Sequence, residues 1–187
     1  MALPLATGTW TLDASHTTVG FTVRHMGISK VRGTFTGVEA RLIVAEPFEA
    51  SLLTAQVDMS TVDTGNADRD AHLRSPDFFD VESFPFMAFT STAIREDADG
   101  GLAVEGELTV KGRSKPFALE VVFEGTQTYP MDGSTHAGFS ATGSLSRKEF
   151  GIEFNVPLAS GGFVIADRIS IDLDVQLAEA DPSRRVA

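Results

Sequence analysis

Four histidines, His16, His25, His72 and His136, are the side chains suited to acid–base work near neutral pH and to ligation of a transition metal. No two stand one helical turn apart, and no His-Glu-x-x-His run occurs, so the spacing offers no metal pair. Cysteine is absent, which removes thiolate nucleophiles and disulfides and leaves the redox compartment unreadable. The run "DASHT" (13–17) brings an acid, a serine and a histidine together. A triad is defined by geometry rather than adjacency, and no Gly-x-Ser-x-Gly elbow is present. The expectation here is a polar kink between two strand segments, with Asp13 and Ser15 bonded to local backbone. Phosphate cradles are missing too: "GTFTG" and "SGG" read as bulge or turn glycines. Anion binding would fall to isolated cations, and Arg69, Arg74, Lys111, Arg147 and Lys148 are the candidates, arginine through its forked donors. Taken singly, each reads first as a solvated charge or a structural ion pair. No catalytic residue and no metal ligand is assigned.

The phenylalanines are the other unusual feature, fourteen against one Trp and one Tyr. The stretch "RDAHLRSPDFFDVESFPFMAF" (69–89) carries Phe78, Phe79, Phe84, Phe86 and Phe89, interrupted by prolines and acids and spaced for no single regular element. "KEFGIEFN" adds Phe150 and Phe154 beside Arg147 and Lys148. Aromatic loops flanked by single cations suit a ligand with a greasy tail and an anionic or polar head. Plain core packing is the competing reading, and composition favours neither.

The elements that must hold these groups are mostly strands. "TVGFTVRH" (18–25) places Val19, Phe21, Val23 and His25 on one face, "FALEVVF" (117–123) lines up Phe117, Leu119, Val121 and Phe123, and "RISIDLDVQL" (168–177) alternates Ile169, Ile171, Leu173, Val175 and Leu177 with polar residues. Period two over such lengths predicts half-buried strands. Further strands are expected at 7–13, 31–44, 51–59, 86–97, 101–110 and 134–146, with hairpin turns at "DADGG" (97–101), "KGRS" (111–114) and "MDGST" (131–135). One helix is expected over 66–74, capped by Asn66, with Asp70 and Arg74 spaced to pair. It should stop before Pro76. The sum is an all-β domain over 8–178, a single closed antiparallel barrel of about eight strands with one short helix and an aromatic loop insert. Tails are expected at 1–7 and 179–187, and a two-sheet sandwich is the alternative.

Charge narrows the partners. The formal net charge is −11, so nucleic acid is excluded and an anionic membrane surface disfavoured, because both need a basic patch. "MALPLATGTW" lacks a basic leader and its apolar run is broken by Pro4, so it does not read as a signal peptide and a cytoplasmic location is expected. No apolar run approaches the roughly 20 residues of a membrane helix, and no stable membrane insertion is expected.

Several ordered motifs together resemble the YceI-like family of polyisoprenoid-binding, lipocalin-like proteins. They are "WTLDASHTTVGFTVRHMGISKVRGTFTGVEARL", "VDMSTVDTGNADRDAHLRSPDFFDVESFPFMAFTS", "GELTVKGRSKPFALEVVF", "LSRKEFGI" and "IADRISIDLDVQL", spanning about residues 9–178. The resemblance implies an eight-stranded barrel with a long interior pocket and no catalytic residues. It also implies binding of an amphiphile such as a polyprenyl phosphate or an isoprenoid quinone. Many members of the family are secreted or periplasmic. The expected tail-binding set is Phe21, Val23, Phe35, Phe78, Phe79, Phe84, Phe86, Phe89, Phe139, Phe150 and Phe154, and the expected head-group set is His25, Arg69, His72 and Arg147. Asp70 is expected to orient Arg69 or cap the helix. No cofactor is expected besides the lipid, and a homodimer is admitted. A barrel filled by its own side chains and an enzyme using His16, His25 or His72 are the alternatives.

Overall fold

The structure, a computed structural model, describes residues 3–96 and 100–180. The tip of the hairpin turn at 97–101 and the end of the C-terminal tail lie outside the described residues. The strands are β1 (Gly8–Leu12), β2 (Thr18–His25), β3 (Ser29–Phe35), β4 (Val38–Val44), β5 (Leu52–Asp58) and β6 (Val62–Asp63), followed by the helix α1 (Ala67–Arg74). Then come β7 (Phe86–Glu96), β8 (Leu102–Val110), β9 (Arg113–Thr128), β10 (Thr135–Ser146) and β11 (Ile165–Glu179).

Three pairs of short strands behave as three bent long ones. β1 pairs with β4 while β2 pairs with β3, so β1–β2 and β3–β4 make one kinked hairpin. β5 continues the sheet beside β4, and β6 does so beside β3. The order β1–β4–β5–β7–β8–β9–β10–β11 returns to β1 through Leu12↔Leu177, closing an eight-stranded antiparallel barrel. Closure leaves the ring no free edge and excludes the sandwich. β11 is shared along its length, pairing with β2 over its first half and with β1 at its end.

The bends have local causes. At "DASHT" the Asp13 carboxylate accepts from Ser15 N (3.0 Å), and the kink stays stitched to β11 because Asp13 N donates to the Gln176 carbonyl (2.8 Å). The single strand expected over 31–44 is instead two, broken at Thr36–Gly37. There the chain turns against the β5–β6 corner: Gly37 N donates to Thr61 Oγ1 (2.9 Å), and a Cβ at residue 37 would come within 2.7 Å of Thr61 Cγ2. Only glycine allows that approach.

α1 begins as expected, with Asn66 Oδ1 accepting from Arg69 N (2.9 Å), and gives way at Ser75 ahead of Pro76. The expected Asp70–Arg74 pair does not form. Asp70 Oδ1 accepts from Thr64 N (3.0 Å) and Thr64 Oγ1 (2.5 Å), while the Arg74 guanidinium donates to the carbonyls of Ser60 (2.7 Å) and Val62 (2.9 Å). The turn at 60–64 has backbone groups that no ladder satisfies, and partly buried backbone polar groups must find partners. A surface ion pair, worth a few tenths of a kcal/mol, cannot compete.

Candidate functional site

The alternating faces read from the sequence point into the barrel. Val19, Phe21, Val23 and His25 of β2 all look inward, as do Ile169, Ile171, Leu173, Val175 and Leu177 of β11. The interior they enclose is not filled. An inner compartment of about 200 Å³ lies between the strands, and every side chain on its wall is apolar. Its floor and walls include Leu42, Val57, Phe89, Val104, Leu119, Phe139 and Ala141. A second compartment of about 480 Å³ lies beside it, roofed by α1, the 75–85 loop and the 147–154 segment. We call this the vestibule. The two adjoin at a waist of five shared residues, Phe21, Phe35, Met87, Leu145 and Ile171. Together they reach the range of roughly 300–1,000 Å³ typical of small-molecule sites. A broader depression of about 780 Å³ crosses β1, β4, β5 and β7, but it is shallow and shares its wall with Glu39, Arg41 and Gln56.

Aromatic rings pave the way from rim to waist. His72 stands edge-on to Phe78 and Phe154, with centroids at 4.9 and 4.8 Å, and Phe78 and Phe154 lie 5.3 Å apart. Phe79 contacts Phe35 (6.0 Å), which contacts Phe21 (5.6 Å). The Phe21 ring lies across β3 at Gly33, where a Cβ would meet it as well as Thr64 Cγ2 (2.8 Å).

Nine of the eleven residues expected to line an apolar pocket do face one compartment or the other: Phe21, Val23, Phe35, Phe78, Phe79, Phe89, Phe139, Phe150 and Phe154. Phe84 and Phe86 do not, which corrects the expectation. Phe84 packs over the β8–β9 turn, where a Cβ on Gly112 would lie 2.7 Å from its ring, and Phe86 begins β7 with half its surface in solvent. Phe86 sits one strand-face out of phase with the inward Met87 and Phe89, as period two requires, and Phe84 precedes the strand. The sequence reading missed most of the aliphatic wall, including Met87 and Leu145 at the waist. Its signal is the apolar alternation of β4, β5, β8 and β10, which carries few rings.

The polar residues divide by depth. Arg24, His25, Thr64, Asp68, Arg69, His72 and Arg147 all border the vestibule and none borders the inner compartment. Arg69 is held outward and parallel to the rim: its Nε donates to Thr64 Oγ1 (2.7 Å) and its Nη2 to the Thr64 carbonyl (2.9 Å). Asp70 thus orients Arg69 through Thr64 rather than by direct contact. His72 Nε2 lies 2.9 Å from Asp77 Oδ2. Arg147 corrects a second expectation. It is 3 % exposed, and its guanidinium donates to the carbonyls of Ile152 (2.7 Å), Phe154 (2.9 Å), Ala166 (3.1 Å) and Ile165 (3.4 Å). Burial lowers its pKa and the Asp167 charge opposes that shift. With four of its five N–H donors on backbone carbonyls and its side chain buried, Arg147 is a clamp that holds the 152–166 loop and not a head-group ligand.

Among the described residues no group of three His, Asp or Glu side chains could hold a metal. His16 and His136 lie at the other end of the barrel around Asp13: His16 Nδ1 is 2.8 Å from Asp13 Oδ2, and Gln176 Nε2 is 2.7 Å from His136 Nδ1. The His16 hydrogen bond chiefly holds the Asp13 carboxyl below its usual range, against a smaller opposing effect of burial, with help from Ser15 N. Ser134 touches both Asp132 and His136, but its hydroxyl donates to Asp132 (2.6 Å). A nucleophile must donate to the base, so the order is wrong for a triad.

Fold and site define a closed antiparallel β-barrel with an apolar interior, the polar side chains that border its cavity gathered at the vestibule. The YceI-like domain matches residues 10–177, and the chain belongs to that family. It is 34% identical to a UPF0312 protein of Staphylococcus epidermidis, covering 89% of this chain and 95% of that one, and 31% identical to a UPF0312 protein of Staphylococcus aureus, covering 90% and 96%. Among solved structures it is similar to the YCEI protein of Campylobacter jejuni, with 29% identity, a TM-score of 0.69 and coverage of 91% and 97%. A polyisoprenoid binding domain from Saccharophagus degradans shares the fold at 14% identity and a TM-score of 0.65, covering 91% of this chain and 98% of that one.

Proposed function

We propose that the protein is a non-catalytic carrier or sequestering protein for a long isoprenoid amphiphile, a polyprenyl phosphate or an isoprenoid quinone. The tail runs from the vestibule through the waist into the inner compartment, and the head stays at the rim near Arg69, His25 and His72. The observation that carries this reading is the inner compartment, a vacant space inside the barrel without one polar side chain on its wall. A polar ligand buried there would lose its hydrogen bonds, at about 1–3 kcal/mol per unpaired group. A hydrocarbon tail loses nothing polar and gains about 0.8 kcal/mol per CH₂ removed from water. The choice of an isoprenoid over another long chain is supported by the Saccharophagus degradans neighbour, a polyisoprenoid binding domain. Both compartments are complete within one chain, so a homodimer adds nothing to the site. We take the carrier to need no cofactor besides the lipid and to work in the cytoplasm.

Organic extraction of gently purified protein, followed by mass spectrometry, is expected to release a prenylated lipid in near-stoichiometric amount. Protein that carries no long-chain lipid, and whose melting temperature does not respond to geranylgeranyl phosphate or to a quinone, would falsify the reading.

A further inference from the structure

We propose that the mouth of the vestibule docks on an anionic lipid bilayer through the tip of the β2–β3 hairpin and the 155–164 loop, an inference that rests on the carrier reading and adds where the cargo is exchanged. Acids outnumber bases 26 to 15 in this chain, yet none lies between Asp13 and Glu39, the segment that carries Arg24, Lys30 and Arg32. No charged residue of either sign lies between Glu153 and Asp167. The fold brings these two segments together. Met26 N donates to the Val164 carbonyl (2.7 Å), and His25 pairs with Ile165 across the β2–β11 ladder. Arg24, His25, Val164 and Ile165 all border the vestibule.

The same edge presents apolar side chains to solvent. Ile28 is 81% exposed, Phe163 56%, Val156 48% and Met26 43%. Met26 and Gly27 both take positive φ, so the hairpin turns within the three residues Met26–Ile28 and Ile28 projects from its tip. Lys148 Nζ lies 5.7 Å from the centre of the Phe163 ring. Single exposed apolar residues are ordinary. Four on one edge, interleaved with cations and beside the mouth of an apolar pocket, match the pattern of an interfacial anchor.

The net charge does not forbid this. The Debye length is about 8 Å at physiological ionic strength, so acids farther away on the barrel are screened from a surface that touches the tip. They still orient the approach, mouth first. Each Lys or Arg near an anionic leaflet contributes on the order of fivefold in affinity, so Arg24, Lys30 and Lys148 together supply on the order of a hundredfold. Of the nearby acids, Asp68 borders the vestibule from α1, and Asp167 is engaged by Ser146 Oγ (2.7 Å) and Lys148 N (3.1 Å). Docked this way, a lipid tail passes between bilayer and vestibule without crossing water.

The experiment is co-sedimentation of the full chain with vesicles of phosphatidylcholine plus phosphatidylglycerol, and with phosphatidylcholine alone, at low and high salt. Binding is expected on the anionic vesicles and at least about tenfold weaker on neutral vesicles or at high salt. Ile28→Asp with Phe163→Asp, and separately Lys30→Gln with Lys148→Gln, should each lower it at least about tenfold. All four side chains are exposed, and an unchanged melting temperature verifies the fold. Geranylgeranyl phosphate binding in solution is read in parallel. Variants that keep this ligand and lose the vesicles support the proposal. Unchanged vesicle binding in both variants overturns it, as does an absence of vesicle binding by a chain that still binds the ligand. The second result leaves the pocket standing and points to exchange through a protein partner.

Discussion

Ala141→Phe separates a vacant barrel from a filled one. Ala141 sits mid-barrel on β10, opposite Val121 and Leu173, and its side chain faces the inner compartment. The substitution adds a phenyl ring. In a close-packed interior that ring has nowhere to go, and overpacking of this kind costs about 1–3 kcal/mol. For a domain of this length, about 2–4 °C of melting temperature is lost per kcal/mol. In a cavity of about 200 Å³ the ring finds room, so the apo protein is expected to keep its melting temperature or gain slightly. Ligand binding should suffer instead. A ring of six carbons displaces about that many from a bound tail, and at about 0.8 kcal/mol each the loss approaches 5 kcal/mol. Area-based figures are upper estimates by roughly 10–40%, which leaves about 3–4 kcal/mol, or a few hundredfold in Kd. The assay is calorimetric titration of geranyl, farnesyl and geranylgeranyl phosphates. The wild-type protein should gain affinity with each isoprene unit until the inner compartment is full, and the variant should reach its plateau about one unit sooner. A variant that melts lower and shows the same chain-length dependence as wild type would refute the argument, because the added ring would then have disturbed packed core and not vacant space.

Other substitutions test the frame around the mouth. Arg147→Met removes the four carbonyl contacts that tie down the 152–166 loop. Those carbonyls are left partly buried without donors, so a loss of about 3–5 kcal/mol is expected in urea unfolding. Asp70→Ala strips Thr64 of its acceptor and releases Arg69. About 1–3 kcal/mol of stability should go, and affinity for the phosphate head should fall while the tail contribution, read as gain per isoprene unit, stays the same. Acid should destabilise the fold through Asp13 and Asp167, whose folded pKa values both lie below the unfolded one. For Asp167 burial pulls upward, but the Ser146 hydroxyl, Lys148 N and the Lys148 and Arg147 charges outweigh it. A depressed carboxyl stabilises the native state fully above the unfolded pKa of about 3.9 and loses that contribution as pH falls through the folded value. Melting curves should therefore decline below about pH 4, and less steeply in Asp167→Asn. An equal decline in the variant would remove Asp167 from the account.

The inward faces of β2 and β11 were readable from period two alone, because a strand has only two faces and one must be apolar if it is buried. The α1 start was readable because an Asn followed by acids has few other local uses. The break at Gly37 left only a slip of phase in the sequence, from inward Phe35 to inward Val38, Ala40 and Leu42, and the reason for the bend lies in Thr61 and Asp58, more than twenty residues onward. Arg147 failed for a related reason. An arginine beside aromatic residues looks the same in sequence whether its partners are a phosphate or four distant carbonyls.

Composition and alternation by themselves determined that this chain makes long half-buried strands with one oily face, since those properties follow from local periodicity and from the ratio of apolar to polar side chains; closure into a barrel and not a sandwich came with the pairing of β1 and β11. Tertiary structure alone decided that the barrel stays partly hollow, that Phe84 and Phe86 face away from it, and that Arg69 but not Arg147 keeps a donor for the rim. A cavity is a deficit of volume among residues that come together from every strand, and a free donor is what remains after the backbone has taken its share. Both are sums over non-local contacts, which no window of sequence contains.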